Sequence, residues 1–186
     1  MNTAWTGVVL AGGKSTRMGQ DKALLEVEGR PLLRHALDRL RPHVQELLVI
    51  GDPRKYRALH PHCIADDLEG LGPLGGIVTA MGHAKNDRLL VLACDVPGVN
   101  DALLKQLKRT LGAYDAAVPR HDDRLEPLAA AYHRRCADAF LVRLMRNELS
   151  MHGALSDVHA TFLDVAPGSE EWPADLFRNL NSPDDL

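Results

Sequence analysis

Aromatic side chains make up only 4% of this chain of 186 residues. With so little ring surface for stacking, recognition of any nucleobase has to lean on polar contacts. A basic excess is missing as well. The formal net charge is −3 and the sequence pI is near 6.3, which leaves nothing to neutralise a phosphodiester backbone and excludes a nucleic-acid surface. Cysteine is sparse: Cys63, Cys94 and Cys136 are odd in number, far apart and without a Cys-x-x-Cys pair. They read as small buried thiols of a reducing cytosol, not as a disulfide framework or a zinc site. No apolar run approaches bilayer-spanning length, and no basic start is followed by an apolar segment of signal-peptide kind. A soluble, cytoplasmic protein with no membrane partner is expected. The nine histidines form no cluster; His60 and His62 share a proline-containing loop and read as surface residues. The length suits one domain, 1–186, able to bury a core without disulfide or structural metal.

What the chain does have is concentrated in Val8–Leu25. Val8-Val9-Leu10 is a short apolar run of the kind that makes a buried strand. Ala11-Gly12-Gly13 follows, where the backbone can turn sharply and be approached closely. Lys14, Arg17 and Lys22 then come at close spacing, with Ser15 and Thr16 among them. Backbone N–H groups and several cations after a buried strand have the composition of a polyphosphate cradle; the alternative is a surface turn with solvated cations. A Walker A loop would need glycine at position 8, which is Val8. A Rossmann Gly-x-Gly-x-x-Gly fails at Lys14.

Strand and helix signals alternate along the rest. Apolar spacing gives a helix over 31–44, with Pro31 in its first turn. Strands follow at Glu46–Ile50 and Cys63–Ala65, with a short helix at 54–59 between them. A glycine-rich stretch, Gly70–Gly76, precedes a helix carrying Ile77, Val78, Ala80 and Met81. Leu89–Cys94 reads as a central strand covered on both faces. Asn100 caps a helix over 101–111 that ends at Gly112. Further strands are expected at 115–118, 127–132 and 161–165, and helices at 134–147 and 150–159. Ser182-Pro183 reads as a last helix start. The alternation predicts an α/β three-layer sandwich on a Rossmann-like, mostly parallel sheet. In such a sheet Ala11, Asp66 and Asp95, each just past a strand, face one crevice.

Asp95 ends the central strand and is held by the turn at Pro97. A carboxylate there can coordinate Mg²⁺ beside a triphosphate, since magnesium takes one or two carboxylates plus substrate oxygens. A helix-capping role is the alternative, but Asn100 is better placed for it.

Leu10 to Lys22 reads Leu-x-Gly-Gly-x-x-x-Arg-Met-Gly-x-Asp-Lys. This resembles the signature of nucleotidyltransferases that join a nucleoside monophosphate to a phosphorylated acceptor, and it is most similar to the molybdenum cofactor guanylyltransferase family. Gly72-Pro73-Leu74-x-Gly76 resembles the same family's second glycine element, and Asn179-x-Asn181-Ser-Pro its closing motif. The resemblance implies the nucleotide-diphospho-sugar transferase type of fold, with GTP bound by about 1–100 and the acceptor by about 101–186. It implies that molybdopterin phosphate attacks the α-phosphorus of Mg-GTP and pyrophosphate leaves. Leu10, Ala11, Gly12, Gly13, Gly72 and Gly76 would then border the nucleotide, with Arg17 and Lys22 on its phosphates. Asp95 would hold the metal, Asp66 would contact base or ribose, and Asn179 and Asn181 would hold the pterin side unless they are turn residues only. A monomer is expected, in transient contact with proteins that deliver molybdopterin and molybdoenzymes that accept the product. Two departures stand out. Val49-Ile50-Gly51-Asp52 lacks the asparagine often found there, and 147–152 lacks the paired arginines of some relatives. A CTP-using sibling and a non-catalytic nucleotide sensor are the rival readings.

Overall fold

Trp5–Leu10 is buried along its whole length, as a continuous apolar run must be when helices cover both faces of a sheet. The structure, a computed structural model, describes residues 4–11 and 21–180; Gly12, Gly13, Lys14, Arg17, Asn181 and the helix start expected at Ser182-Pro183 lie outside them. In chain order the elements are β1 (Trp5–Leu10), β2 (Glu26–Val27), β3 (Arg30–Pro31), α1 (Leu32–Leu40), β4 (Glu46–Ile50), α2 (Pro53–Tyr56), β5 (Cys63–Ile64) and α3 (Gly72–His83). Then come β6 (Arg88–Ala93), α4 (Asp101–Leu111), β7 (Ala116–His121), β8 (Arg124–Leu125), β9 (Ala129–His133), α5 (Ala137–Met145), α6 (Met151–Ser156) and β10 (Ala160–Asp164). Single 3-10 turns occupy Lys22–Leu24, Arg41–His43 and Arg134–Cys136.

The main sheet runs β10-β7-β9-β6-β1-β4-β5, with β8 hairpinned onto β7. β1 pairs in parallel with β4 and β6, so that Leu10 stands beside Ile50 and Ala93. β5 pairs in parallel with β4 and sets Ile64 beside Ile50. β9 runs against its neighbours β6 and β7, as β8 does against β7. The C-terminal ends of β5, β4, β1 and β6 therefore share one edge of the sheet with the N-terminal end of β9.

Side chains alternate across that sheet, as the strand period of two requires. Val9, Val49, Leu90 and Leu92 pack on one face with Leu33 and Leu37 of α1, Leu103 and Leu107 of α4, and Trp172, Leu176 and Phe177 near the end of the described chain. Val8, Leu10, Leu48, Ile50 and Val91 pack on the other with Leu74 and Ile77 of α3, Phe140 of α5 and Ala154 of α6. Burying each of the larger side chains is worth about 1.5–3 kcal/mol. The three cysteines are free and buried. Among the described residues no helix is long and apolar enough to cross a membrane.

The element boundaries differ from the sequence reading in instructive places. Pro31 is not in the first turn of α1. It ends β3, with ψ 142°, in a hairpin with β2 whose turn is at Glu28-Gly29. The helix after the second glycine stretch begins earlier than expected, at Gly72, so that Gly75 and Gly76 lie inside α3. A fixed strand-to-helix turn, not a slack loop, is the result. Asn100 accepts from the Leu103 N–H at 2.9 Å and caps α4, which leaves Asp95 without that duty.

Gly98 shows how the C-terminal segment is seated. A Cβ there would run into the backbone carbonyl of Asp175, and backbone cannot swing aside. Gly98→Ala is therefore expected to destabilise the chain by about 1–3 kcal/mol. Gly82 lies in α3 with open space around it, so Gly82→Ala should stabilise by about 0.5–1 kcal/mol. Urea unfolding of the two variants beside the parent checks both signs.

Candidate active site

The site begins where β1 stops. The Ala11 N–H donates to the Ile50 carbonyl (2.9 Å), the Gly51 N–H to the Ile64 carbonyl (2.9 Å), and the Cys94 N–H to the Leu10 carbonyl (3.4 Å). These bonds carry the ladder one residue past each strand, so Ala11, Gly51 and Cys94 stand in a row with Asp95 next along the chain.

The Asp21 carboxylate caps the Lys22–Leu24 turn by accepting from the Ala23 N–H at 3.2 Å. Two other donors hold that carboxylate: the Lys55 ammonium at 2.9 Å and the Tyr56 hydroxyl at 2.7–2.8 Å. Lys22, fixed by this turn, places Nζ 3.5 Å from Oδ2 of Asp95, with the two side chains 28% and 25% exposed. An ion pair this open contributes little stability, about 0–1 kcal/mol. Its importance is positional: a cation from the first loop and a carboxylate from the central strand meet at the crevice.

On the α3 side, Leu10, Asp66 and Gly76 come together. A Cβ on Gly76 would stand 3.4 Å from Cδ2 of Leu10 and 3.9 Å from Oδ2 of Asp66. The other carboxylate oxygen of Asp66 accepts from the Leu68 N–H (3.0 Å) and the Thr79 hydroxyl (2.8 Å). Half of this carboxylate thus anchors α3, while the other half looks toward the glycine. Gly72 takes φ +70°, a left-handed conformation that a side chain would strain. It opens α3 and does not join the Asp66 group directly.

On the β9 side, a cleft of about 300 Å³ is lined by Asp95, Glu126, Pro127, Met151, His152 and Asn179, among others. Because β9 is antiparallel, the segment entering it, Glu126–Leu128, reaches the crevice edge. Asn179 is brought in by the C-terminal segment, whose Leu180 N–H donates to the Asp95 carbonyl at 2.9 Å. Glu126 is held from behind: Nε2 of His121 lies 2.8 Å from its Oε1, and the His121 ring stacks on Phe177 at 4.7 Å.

Of the residues singled out in the sequence, then, Lys22, Asp95 and Asn179 form one group and Leu10, Asp66 and Gly76 another. Ala11 stands at the end of β1, in the row that leads to Asp95. Tyr56, Glu126 and His152 were not singled out. His152 lies in the stretch 147–152 noted only for lacking paired arginines, and Glu126 just ahead of an expected strand, with nothing in the sequence to mark either.

Asp95 can offer a hard oxygen to a divalent cation. Among the described residues no three His, Cys, Asp or Glu side chains converge into a cage. A cation here would complete its shell with phosphate and water oxygens, the usual arrangement for magnesium. The neighbouring Cys94 thiol does not compete: burial, followed by the Asp95 and Asp21 charges, pushes it up to about 12, and a protonated thiol is a poor ligand and nucleophile.

A family model described as a MobA-like NTP transferase domain matches residues 7–159. A probable molybdenum cofactor guanylyltransferase of Bacillus licheniformis is 35% identical over 96% of this chain and 93% of its own length. One of the same name from Methanothermobacter thermautotrophicus is also 35% identical, over 96% and 95%. Among solved structures, molybdopterin-guanine dinucleotide biosynthesis protein A from Archaeoglobus fulgidus superposes with a TM-score of 0.80 at 26% identity, covering 97% of this chain and 94% of that one. The match runs through the strands that form the crevice and through the segments that line it, and on this ground the chain belongs to the MobA-like NTP transferase family, built on the nucleotide-diphospho-sugar transferase fold.

Proposed function

We propose that the chain transfers GMP from Mg-GTP to the phosphate of molybdopterin, giving molybdopterin guanine dinucleotide and pyrophosphate. The observation that carries this reading is the position of Asp95. It faces Lys22 on one side and the cleft lined by Asn179 on the other, as a reaction joining two anionic substrates at one phosphorus requires. Residues up to about 100 then make the nucleotide side, and those beyond it the acceptor side.

An oxygen of the acceptor phosphate forms a bond to the α-phosphorus as the bond to the pyrophosphate oxygen breaks. The attacking group is already an oxyanion, so little general-base help is needed and positioning carries the catalysis. Lys22 neutralises phosphate charge, and charge stabilisation in a water-poor site is worth about 3 kcal/mol per donor. Gly12, Gly13 and Arg17 join this reading from the sequence alone, as backbone donors and as a guanidinium able to make paired contacts. A magnesium ion held by Asp95 would supply positive charge to the phosphoryl oxygens. Asn179, together with Asn181 from the sequence, serves the acceptor, and an amide can donate to its phosphate or pair with its pterin edge. Oδ2 of Asp66, beside Gly76 and Leu10, is the acceptor proposed for the donor edge of guanine. A CTP-using sibling would leave that oxygen without the same partners, and a sensor would have no need of Asp95 facing both sides.

Release of pyrophosphate from GTP, Mg²⁺ and molybdopterin tests the assignment directly. Asp95→Asn keeps the shape of the side chain and removes its charge; a folded protein with kcat/KM lowered by about 100-fold or more is expected, and parent-level turnover would end the metal assignment. Asp66→Asn preserves an oxygen for Leu68 and Thr79. It should lower kcat/KM for GTP by roughly tenfold or more while changing CTP far less, because a site built for donors rejects ligands that leave its groups unpaired. An unchanged GTP-to-CTP ratio would remove Asp66 from base recognition. Asn179→Ala is expected to raise KM for molybdopterin several-fold, at about 1 kcal/mol for one hydrogen bond, with KM for GTP unmoved. Initial rates with each substrate varied in turn decide that last point.

A further inference from the structure

We infer that Tyr56 is a positioning residue for the nucleotide side of the site, acting on Lys22 through Asp21. The inference rests on the proposal that Lys22 meets the nucleotide phosphates. Tyr56 is 3% exposed, with its ring in the core beneath the crevice. Its hydroxyl stands 2.9 Å from the Ala11 carbonyl and 2.8 and 2.7 Å from the two oxygens of Asp21. One O–H thus faces the end of β1 and the start of the turn that carries Lys22. It has a single proton to give, and the bond to the carboxylate is the stronger because its acceptor is charged. Burial, and after it the Asp21 carboxylate, raises the phenol well above its ordinary range, so it stays a donor at any working pH.

The surroundings are arranged for this hydroxyl. Asp52 caps α2 by accepting from the Arg54 N–H at 2.9 Å, which fixes the short helix that ends at Tyr56. Gly51 has no side chain where a Cβ would stand 2.7 Å from Cε2 of Tyr56 and 3.4 Å from the Ala11 Cβ. Gly51, in the stretch 49–52 that lacks the family's common asparagine, therefore makes room for the ring. A phenylalanine would fill the core equally well. What the oxygen adds is a tie between Ala11 and Asp21, and Asp21 in turn caps the Lys22–Leu24 turn from which the Lys22 ammonium reaches within 3.5 Å of Asp95.

Tyr56→Phe tests this while keeping the ring. Binding of Mg-GTP is measured by calorimetry on the parent, Tyr56→Phe, Lys22→Ala and the double variant, with urea unfolding alongside and steady-state rates for both substrates. Tyr56→Phe should bind Mg-GTP roughly tenfold more weakly, the scale of one hydrogen bond to a charged group. KM for GTP should rise, KM for molybdopterin should stay within about twofold, and in the Lys22→Ala background the same change should cost almost nothing further. Losses that add, or that fall on both substrates alike, would overturn the inference and leave Tyr56 a core residue. So would unchanged GTP affinity in Tyr56→Phe. A parent chain that bound no Mg-GTP would overturn the proposed function together with this inference, whereas the other adverse outcomes touch this inference alone.

Discussion

Leu10 is paired with Ile50 on one side and Ala93 on the other, and the register of those two parallel ladders governs everything at the crevice. A slip of one residue in either would turn every side chain of a strand to the opposite face. Leu10 would lose its place beside Gly76, and Asp95 would no longer stand level with the end of β1. The register is enforced by burial on both faces. Val8 and Val9, adjacent in sequence, belong to different cores, so a shifted pairing would exchange them between two separately packed faces and spoil the fit of both.

From that fixed edge the polar groups are built outward in a chain of short links. Asp52 fixes α2 and Tyr56, Tyr56 bonds Asp21, Asp21 caps the turn of Lys22, and Lys22 faces Asp95. Individually these are ordinary hydrogen bonds and, at the end, one open ion pair. Together they give two mobile side chains, a lysine and an aspartate, one shared location without burying either charge. A fully buried pair would cost several kcal/mol in desolvation and leave no opening for a ligand. The β9 side of the crevice is constructed differently, with Glu126 buttressed by His121 and Phe177 from behind.

Much of this was legible in the sequence because local patterning decided it. Continuous apolar runs marked β1, β4 and β6, and residues immediately after them, Ala11 and Asp95, were correctly set at one edge. The Asn100 cap was legible because capping is a local exchange between a side chain and the next turn. Three things were not. The β2–β3 hairpin has strands of two residues each, too short to show any period, and it displaced Pro31 from the helix to which local rules assign it. The antiparallel direction of β9 leaves no trace in composition, yet it decides that Glu126, ahead of the strand, reaches the cleft. The bond between Tyr56 and Asp21 spans 35 positions, and no spacing rule couples residues that far apart. The stretch 49–52 was noticed for lacking an asparagine, but why glycine stands at 51 lies in the ring packed over it.

The hydrogen bond from Leu180 to the Asp95 carbonyl gives the molecule a chronology. Every described strand of the sheet precedes the segment from Trp172 to Leu180 in the chain, so that segment is the later one to be made. Lys22, Asp66 and Asp95 can find their neighbours while that segment is still being synthesised. Asn179 cannot. Until that segment is in place, the carboxylate that faces Lys22 has an open flank, and Asn179 reaches the cleft only with it.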